Sequence, residues 1–71
     1  MINLQYMFPE GGVRLRSNDD ISVSDAFKLL EHCKENGIYD LDGQHYQYNG
    51  HSLIVRGSDY PLILRIELYN L

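Results

Sequence analysis

This chain has almost no covalent or metal-based means of holding itself together. Of its 71 residues only Cys33 is a cysteine, so no internal disulfide can form, and the pattern fits a reducing compartment. Tryptophan is absent and proline occurs only at Pro9 and Pro61. No apolar run approaches the ~20 residues of a membrane span. Met1 to Phe8 has neither the basic start nor the long apolar stretch of a secretory leader. A cytoplasmic protein without membrane attachment is expected. Positive charge is scarce too: six Lys and Arg stand against ten Asp and Glu, for a net charge of −4. That balance argues against a general nucleic-acid binder. A chain this short buries only roughly 60% of its unfolded surface on folding, so one small domain over 1–71 is expected.

What is present is alternation. Gln44 to Arg56 reads as two alternating segments around Asn49-Gly50, a pair suited to a type I′ turn because both residues tolerate positive φ. A hairpin there pairs Tyr48 with His51, Tyr46 with Leu53 and Gln44 with Val55 on one face. His45, Gln47, Ser52, Ile54 and Arg56 fall on the other. Ile2, Leu4, Tyr6 and Phe8 alternate with polar residues as a half-buried strand. Pro9-Glu10-Gly11-Gly12 then reads as a loop leading into a short strand over Val13–Arg16. In that second hairpin Phe8 faces Val13 and Tyr6 faces Leu15, with Met7 beside Arg14 and Gln5 beside Arg16.

One helix has well-marked ends. Ser22 with Asp25 three residues on resembles a capping box, and Gly37 fits the left-handed residue past a C-terminus. Val23, Ala26, Phe27, Leu30 and Cys33 form the apolar stripe, which predicts a helix over 23–36 with Ile38 folding back on Cys33. Ile38 to Asp42 is expected to bridge to the central hairpin, with Asp42-Gly43 as another turn. A final strand covers about 62–69, Val55 facing Leu62, Leu53 facing Leu64, and Ile54 opposite or close to Ile63. The resulting order is β-β-α-β-β-β: an α+β domain with an antiparallel sheet and one helix on its apolar face.

Strand parity then sorts the charges. Arg14, Arg16, Arg56 and Arg65 all fall on the sheet face away from the helix, opposed there by Glu67 alone, while Lys28 and Lys34 face the other nine acids. His45, Gln47, Met7, Ile54, Ile63 and Tyr69 share the arginine face. Arginine, tyrosine and methionine are enriched at interfaces, and paired isoleucines on an open face suit a contact surface. Width points the same way. Five strands span roughly 24 Å, against ~10–12 Å for one helix, so a homodimer that covers the remainder is expected.

Little supports catalysis. His45 and His51 fall on opposite faces, His32 and Cys33 diverge by about 100° around the helix, and no metal-ligand spacing exists. Cys33 reads as a small core residue. Gly11-Gly12 lacks the following Lys and Ser/Thr of a phosphate loop, and Asp40 with Asp42 lacks the rest of a calcium loop. Neither a metal nor a cofactor is expected, and no catalytic residue is assigned.

The run from the helix through Asn36-Gly37-Ile38 to Gly43-Gln44-His45-Tyr46-Gln47-Tyr48 resembles the helix, Asn-Gly-Phe and Gly-Ser-His-x-x-Tyr segment of HicA-type toxins. Those are small ribonucleases with a double-stranded-RNA-binding-like fold and a catalytic strand histidine. The resemblance covers about thirteen residues and implies His45 as the acid/base. Gln44 stands where the family has serine, the spacing is shorter, and no helix follows the sheet.

The expected function is therefore a small non-enzymatic interaction protein, an inhibitor or adaptor docking on a protein or ribonucleoprotein. Tiny acidic domains without a catalytic set are typical of phage- or mobile-element-encoded inhibitors of host machinery, anti-CRISPR proteins among them. Two surfaces suit docking: the arginine face (Arg14, Arg16, His45, Gln47, Ile54, Arg56, Ile63, Arg65, Tyr69) and an acidic helix face (Asp25, Glu31, Glu35). The second complements a basic, nucleic-acid-binding groove. The alternative is direct nucleic-acid binding, with or without cleavage at His45.

Overall fold

The computed structural model describes residues 1–9 and 19–71. The strand expected at 13–16, and its pairings with Phe8, Tyr6, Met7 and Gln5, lie outside them. The elements run β1 (Ile2–Met7), β2 (Asp19–Ile21), α1 (Val23–Asn36), β3 (Ile38–Leu41), β4 (Gln44–Ile54) and β5 (Leu62–Asn70). The order of strands and helix is the expected one, an α+β domain with one helix and one sheet. Several of the strands are not those the sequence suggested.

The helix forms over the expected span, and both caps act as expected. The Ser22 hydroxyl accepts from the Asp25 backbone N–H at 3.1 Å, satisfying one of the first-turn donors left without an intrahelical partner. At the other end Gly37 takes φ 68° and donates its N–H to the Cys33 carbonyl at 2.8 Å. Ile38 does not fold back on Cys33. It starts β3 beside Gln47 and is exposed.

The central hairpin turns at a different dipeptide. Asp42 (φ 53°) and Gly43 (φ 82°) make the tight turn between β3 and β4, setting Leu41 opposite Gln44 and Asp40 opposite His45. Asn49-Gly50 is no turn at all: β4 runs straight through it, with Asn49 as the extra residue of a β-bulge facing β5. One inserted residue shifts side-chain parity by one, as a two-residue turn also does. Tyr46, Tyr48, His51 and Leu53 therefore still share one face, although they lie along one strand. The pairs Leu53↔Leu64 and Ile54↔Ile63 form as expected.

The sheet order is β2-β1-β5-β4-β3. Three of its pairings are antiparallel. The central one, β1 with β5, is parallel, from Ile2↔Leu62 to Met7↔Glu67. The sheet is thus mixed, with β5 lying directly beside β1. Ile2, Leu4 and Tyr6 of β1, Leu64, Ile66 and Leu68 of β5, Tyr46 of β4 and Ala26 of the helix form the buried cluster. Cys33 is fully buried, as expected of a small core residue.

The helix crosses this face obliquely. It begins directly after Ile21, which pairs with Ile2, and ends where the Gly37 carbonyl accepts from the Tyr48 N–H at 2.9 Å. Fourteen residues give roughly 21 Å of helix, close to the ~19 Å between the axes of the two outermost of five strands. The rod runs from the β2 border to the β3 border, and Leu53 at the far end of β4 is left exposed.

Candidate interaction surfaces

The helix presents its outer side to solvent. Asp25, Glu31 and Glu35 are exposed there together with Lys28, His32 and Lys34. The inward stripe is Ala26, Leu29, Leu30 and Cys33, which follows i, i+3, i+4, i+7 spacing. Two residues expected inside are outside: Phe27 is 64% and Val23 51% exposed. Leu29 takes the inward place instead. Val23, Phe27 and Glu31 stand four apart and line one side of the helix, so the exposed ring is flanked by an apolar side chain on one turn and an acidic one on the next.

Among the described residues the opposite sheet face shows no arginine excess. Arg14 and Arg16 lie outside the described residues. Arg56 lies beyond the end of β4 and its guanidinium sits 5.2 Å from the Tyr60 ring centroid, a cation–π contact off the sheet. Arg65 does project from this face, with Gln47, Ile54 and Tyr69. Its cross-strand neighbours put Asp20, Asp40 and Glu67 on the same side. Among the described residues the face is therefore more acidic than basic. Ile63, proposed as a contact residue, is only 4% exposed, and Ile54 is half-buried opposite it.

Arg65 is held by its neighbours rather than presented. Its Nη2 donates to Gln5 Oε1 at 3.2 Å, Gln5 Nε2 donates to Asn3 Oδ1 at 3.1 Å, and Asn3 Nδ2 donates to Asp20 Oδ1 at 3.4 Å. A polar chain thus crosses β5, β1 and β2. On the next row of the same face Asn49 Nδ2 donates to Glu67 Oε2 at 2.9 Å. The sequence did not point to this chain, because the link from Gln5 to Arg65 exists only through the parallel β1–β5 pairing and the link from Asn3 to Asp20 only through β1–β2.

His45 is highly exposed, and its Nδ1 meets Asp40 Oδ1 across the β3–β4 ladder. A carboxylate against one ring nitrogen orients an imidazole. The pair borders a shallow depression lined by Gly43, Gln44, His45, Tyr46, Asn70 and Leu71. Reading Asp42-Gly43 as the two-residue turn would have found Asp40. His51 lies on the other face, as expected, where its Nδ1 is 2.8 Å from the Tyr48 hydroxyl. Burial pushes the Tyr48 phenol up, with the nearby Cys33 adding to it, and burial alone raises the Cys33 thiol. A raised thiol is a poor nucleophile.

No protein-family model, curated protein or solved structure matches this chain.

Proposed function

We propose that this chain is a non-enzymatic interaction protein, an inhibitor or adaptor, that docks through the outer side of α1. Exposure of Phe27 on a well-capped helix carries the reading. A large aromatic held out into solvent by a rigid element is the kind of residue that anchors interfaces. Glu31, one turn on from it, with Glu35 on the same flank supplies an acidic margin that complements a basic groove on a protein or ribonucleoprotein, whereas Asp25 lies about 160° round the helix. The helix needs no rearrangement to present them, so little ordering entropy opposes docking.

Retention of a binding protein from a host lysate tests it, with Phe27→Ala and the pair Glu31→Lys, Glu35→Lys as variants. Loss of the same mass-identified protein with both variants is the expected result. Equal retention by wild type and both variants defeats the reading.

The His45–Asp40 pair favours a second reading, ribonuclease activity with His45 as acid/base, in line with the HicA-type resemblance. Incubation with single-stranded RNA, comparing wild type with His45→Ala, decides it. Cleavage that disappears in the variant supports the ribonuclease, and RNA left intact by wild type removes it.

A further inference from the structure

The two borders of the sheet are built differently. On one side β2 is three residues long and carries Asp19 and Asp20, a short charged edge of the kind that deters pairing with another chain. On the other side β3 covers β4 only from Gln44 to Gln47. Beyond that point, among the described residues, no strand pairs with the outer side of β4. This bare stretch and its continuation read Asn49-Gly50-His51-Ser52-Leu53-Ile54-Val55, with no acid, lysine, arginine or proline. None of the residues that natural proteins use to blunt an edge is present there.

The backbone groups on that edge can be assigned. Along a strand, residues alternate both in side-chain face and in the direction of N–H and C=O. Tyr48 sets the phase: its side chain is on the helix side and its N–H points away from β5, to the Gly37 carbonyl. Past the bulge His51 and Leu53 take up that phase, being opposite Ile66 and Leu64 of the core face. Their N–H and C=O groups therefore point outward. Leu53 is 57% and Val55 72% exposed, so apolar side chains flank the same bare edge.

We propose that the outer edge of β4 over His51–Val55 is a strand-pairing site for a second copy of this chain, the two edges meeting antiparallel about a two-fold axis at Leu53. That axis sets Leu53 against Leu53 of the second copy, Ser52 against Ile54, and His51 against Val55. No charged residue faces another in this register, and Arg56 falls opposite Gly50. A chain of net charge −4 thus joins through a border without acids, and Leu53 meets its own copy on the axis. The result is one continuous sheet through two molecules. The inference stands apart from the helix-face reading, because the acidic side of α1 takes no part in it. The contact is smaller than a standard interface, so a dissociation constant on the order of 10 µM is expected.

Sedimentation equilibrium from about 1 µM to about 1 mM, a range that brackets this affinity, tests the proposal with two variants. Leu53→Lys places a charge on an already exposed edge position. A synthetic chain N-methylated at Leu53 removes one outward donor and leaves every side chain in place. Wild type is expected to pass from monomer to dimer, and both variants to raise the dissociation constant at least about tenfold with unchanged circular dichroism. A wild type that stays monomeric throughout, as it would if the edge served an extended peptide of another protein, overturns the proposal. So does a dimer that survives both changes, which would place the contact on another surface. Should Leu53→Lys lose its fold, the N-methylated chain alone decides, since its side chains are those of wild type.

Discussion

The hydroxyls of Tyr6 and Tyr39 meet 2.7 Å apart, with ring centroids 5.4 Å apart, although two strands lie between β1 and β3. Three strand steps on a flat sheet would be about 14 Å. The sheet therefore curls beneath the helix, and the two rings close the core from opposite sides. Removing one hydroxyl leaves the other half-buried without its partner. Tyr6→Phe and Tyr39→Phe are each expected to cost about 1–2 kcal/mol, and the double variant less than their sum. Urea denaturation of the four proteins measures this, and strict additivity would show that the hydroxyls do not interact.

The same pair gives an alkaline limit to stability. Burial raises the Tyr6 phenol far above its ordinary value of 10.0, with the Tyr39 hydrogen bond and charge adding to it, and burial raises Tyr39 as well. Because the folded protein holds these protons more tightly than the unfolded chain, their contribution is complete below pH 10 and is lost as the pH rises beyond it. Wild type is expected to lose stability more steeply above pH 10 than the Tyr6→Phe, Tyr39→Phe double variant. Parallel curves would contradict the assignment.

Gly50 has φ 133°, a conformation closed to other residues, yet a Cβ there would meet nothing within 4 Å. Gly50→Ala is therefore expected to destabilise by ~1–3 kcal/mol through backbone strain alone. Deleting Asn49 has the opposite character. It removes the unpaired residue of the bulge, leaves both halves of β4 in register and forfeits the Asn49–Glu67 hydrogen bond. A folded deletion variant with the Leu53↔Leu64 pairing retained in its NMR contacts is the expected outcome. An unfolded one would mean that the bulge is needed to curve the sheet.

The helix caps are testable one at a time. Ser22→Ala is expected to cost about 0.5–2 kcal/mol. Gly37→Ala, at φ 68° with open space around it, is expected to cost about 1–2 kcal/mol from the left-handed backbone. Thermal melts of both variants give these values, and a wild-type melting temperature in either case would remove the role of that cap.

Phe27 and Ile66 form a contrast between surface and core. Phe27→Asp is expected to change stability by no more than ~0.5 kcal/mol. Ile66→Ala, at a fully buried position, is expected to cost ~2–5 kcal/mol. Denaturant midpoints separate the two, and a large loss at Phe27 would return that ring to the core.

Local signals were the legible part of this fold. Ser22 and Gly37 bound the helix because capping is decided within a few residues. Leu53↔Leu64 was legible because alternation sets which faces meet. Two dipeptides with the same turn chemistry, Asp42-Gly43 and Asn49-Gly50, compete for the hairpin, and local propensity does not rank them. The choice falls to Asp42-Gly43, which brings Tyr39 and Leu41 over the core as β3. The β1–β5 pairing was not legible at all, since parallel neighbours share no turn. Asp20 reaches the side of Arg65 only through that adjacency, and Asp40 through the Asp42-Gly43 turn that sets it opposite His45. Phe27 fits the helical period as well as Leu29 does; which of them is covered depends on the oblique path of the helix.

The parallel ladder at the middle of the sheet also governs how the molecule assembles. Gln5 and Arg65 touch across 60 positions of chain, so the centre forms only when a long loop closes, against an entropy that grows with its length. Helix and β3–β4 hairpin arise from neighbours in sequence and are expected to form early, with β1 docking late. Folding is accordingly expected to be slow for so small a domain. A nascent chain whose β5 is still to be synthesised holds a helix and a hairpin but no inner strand to join them to β1.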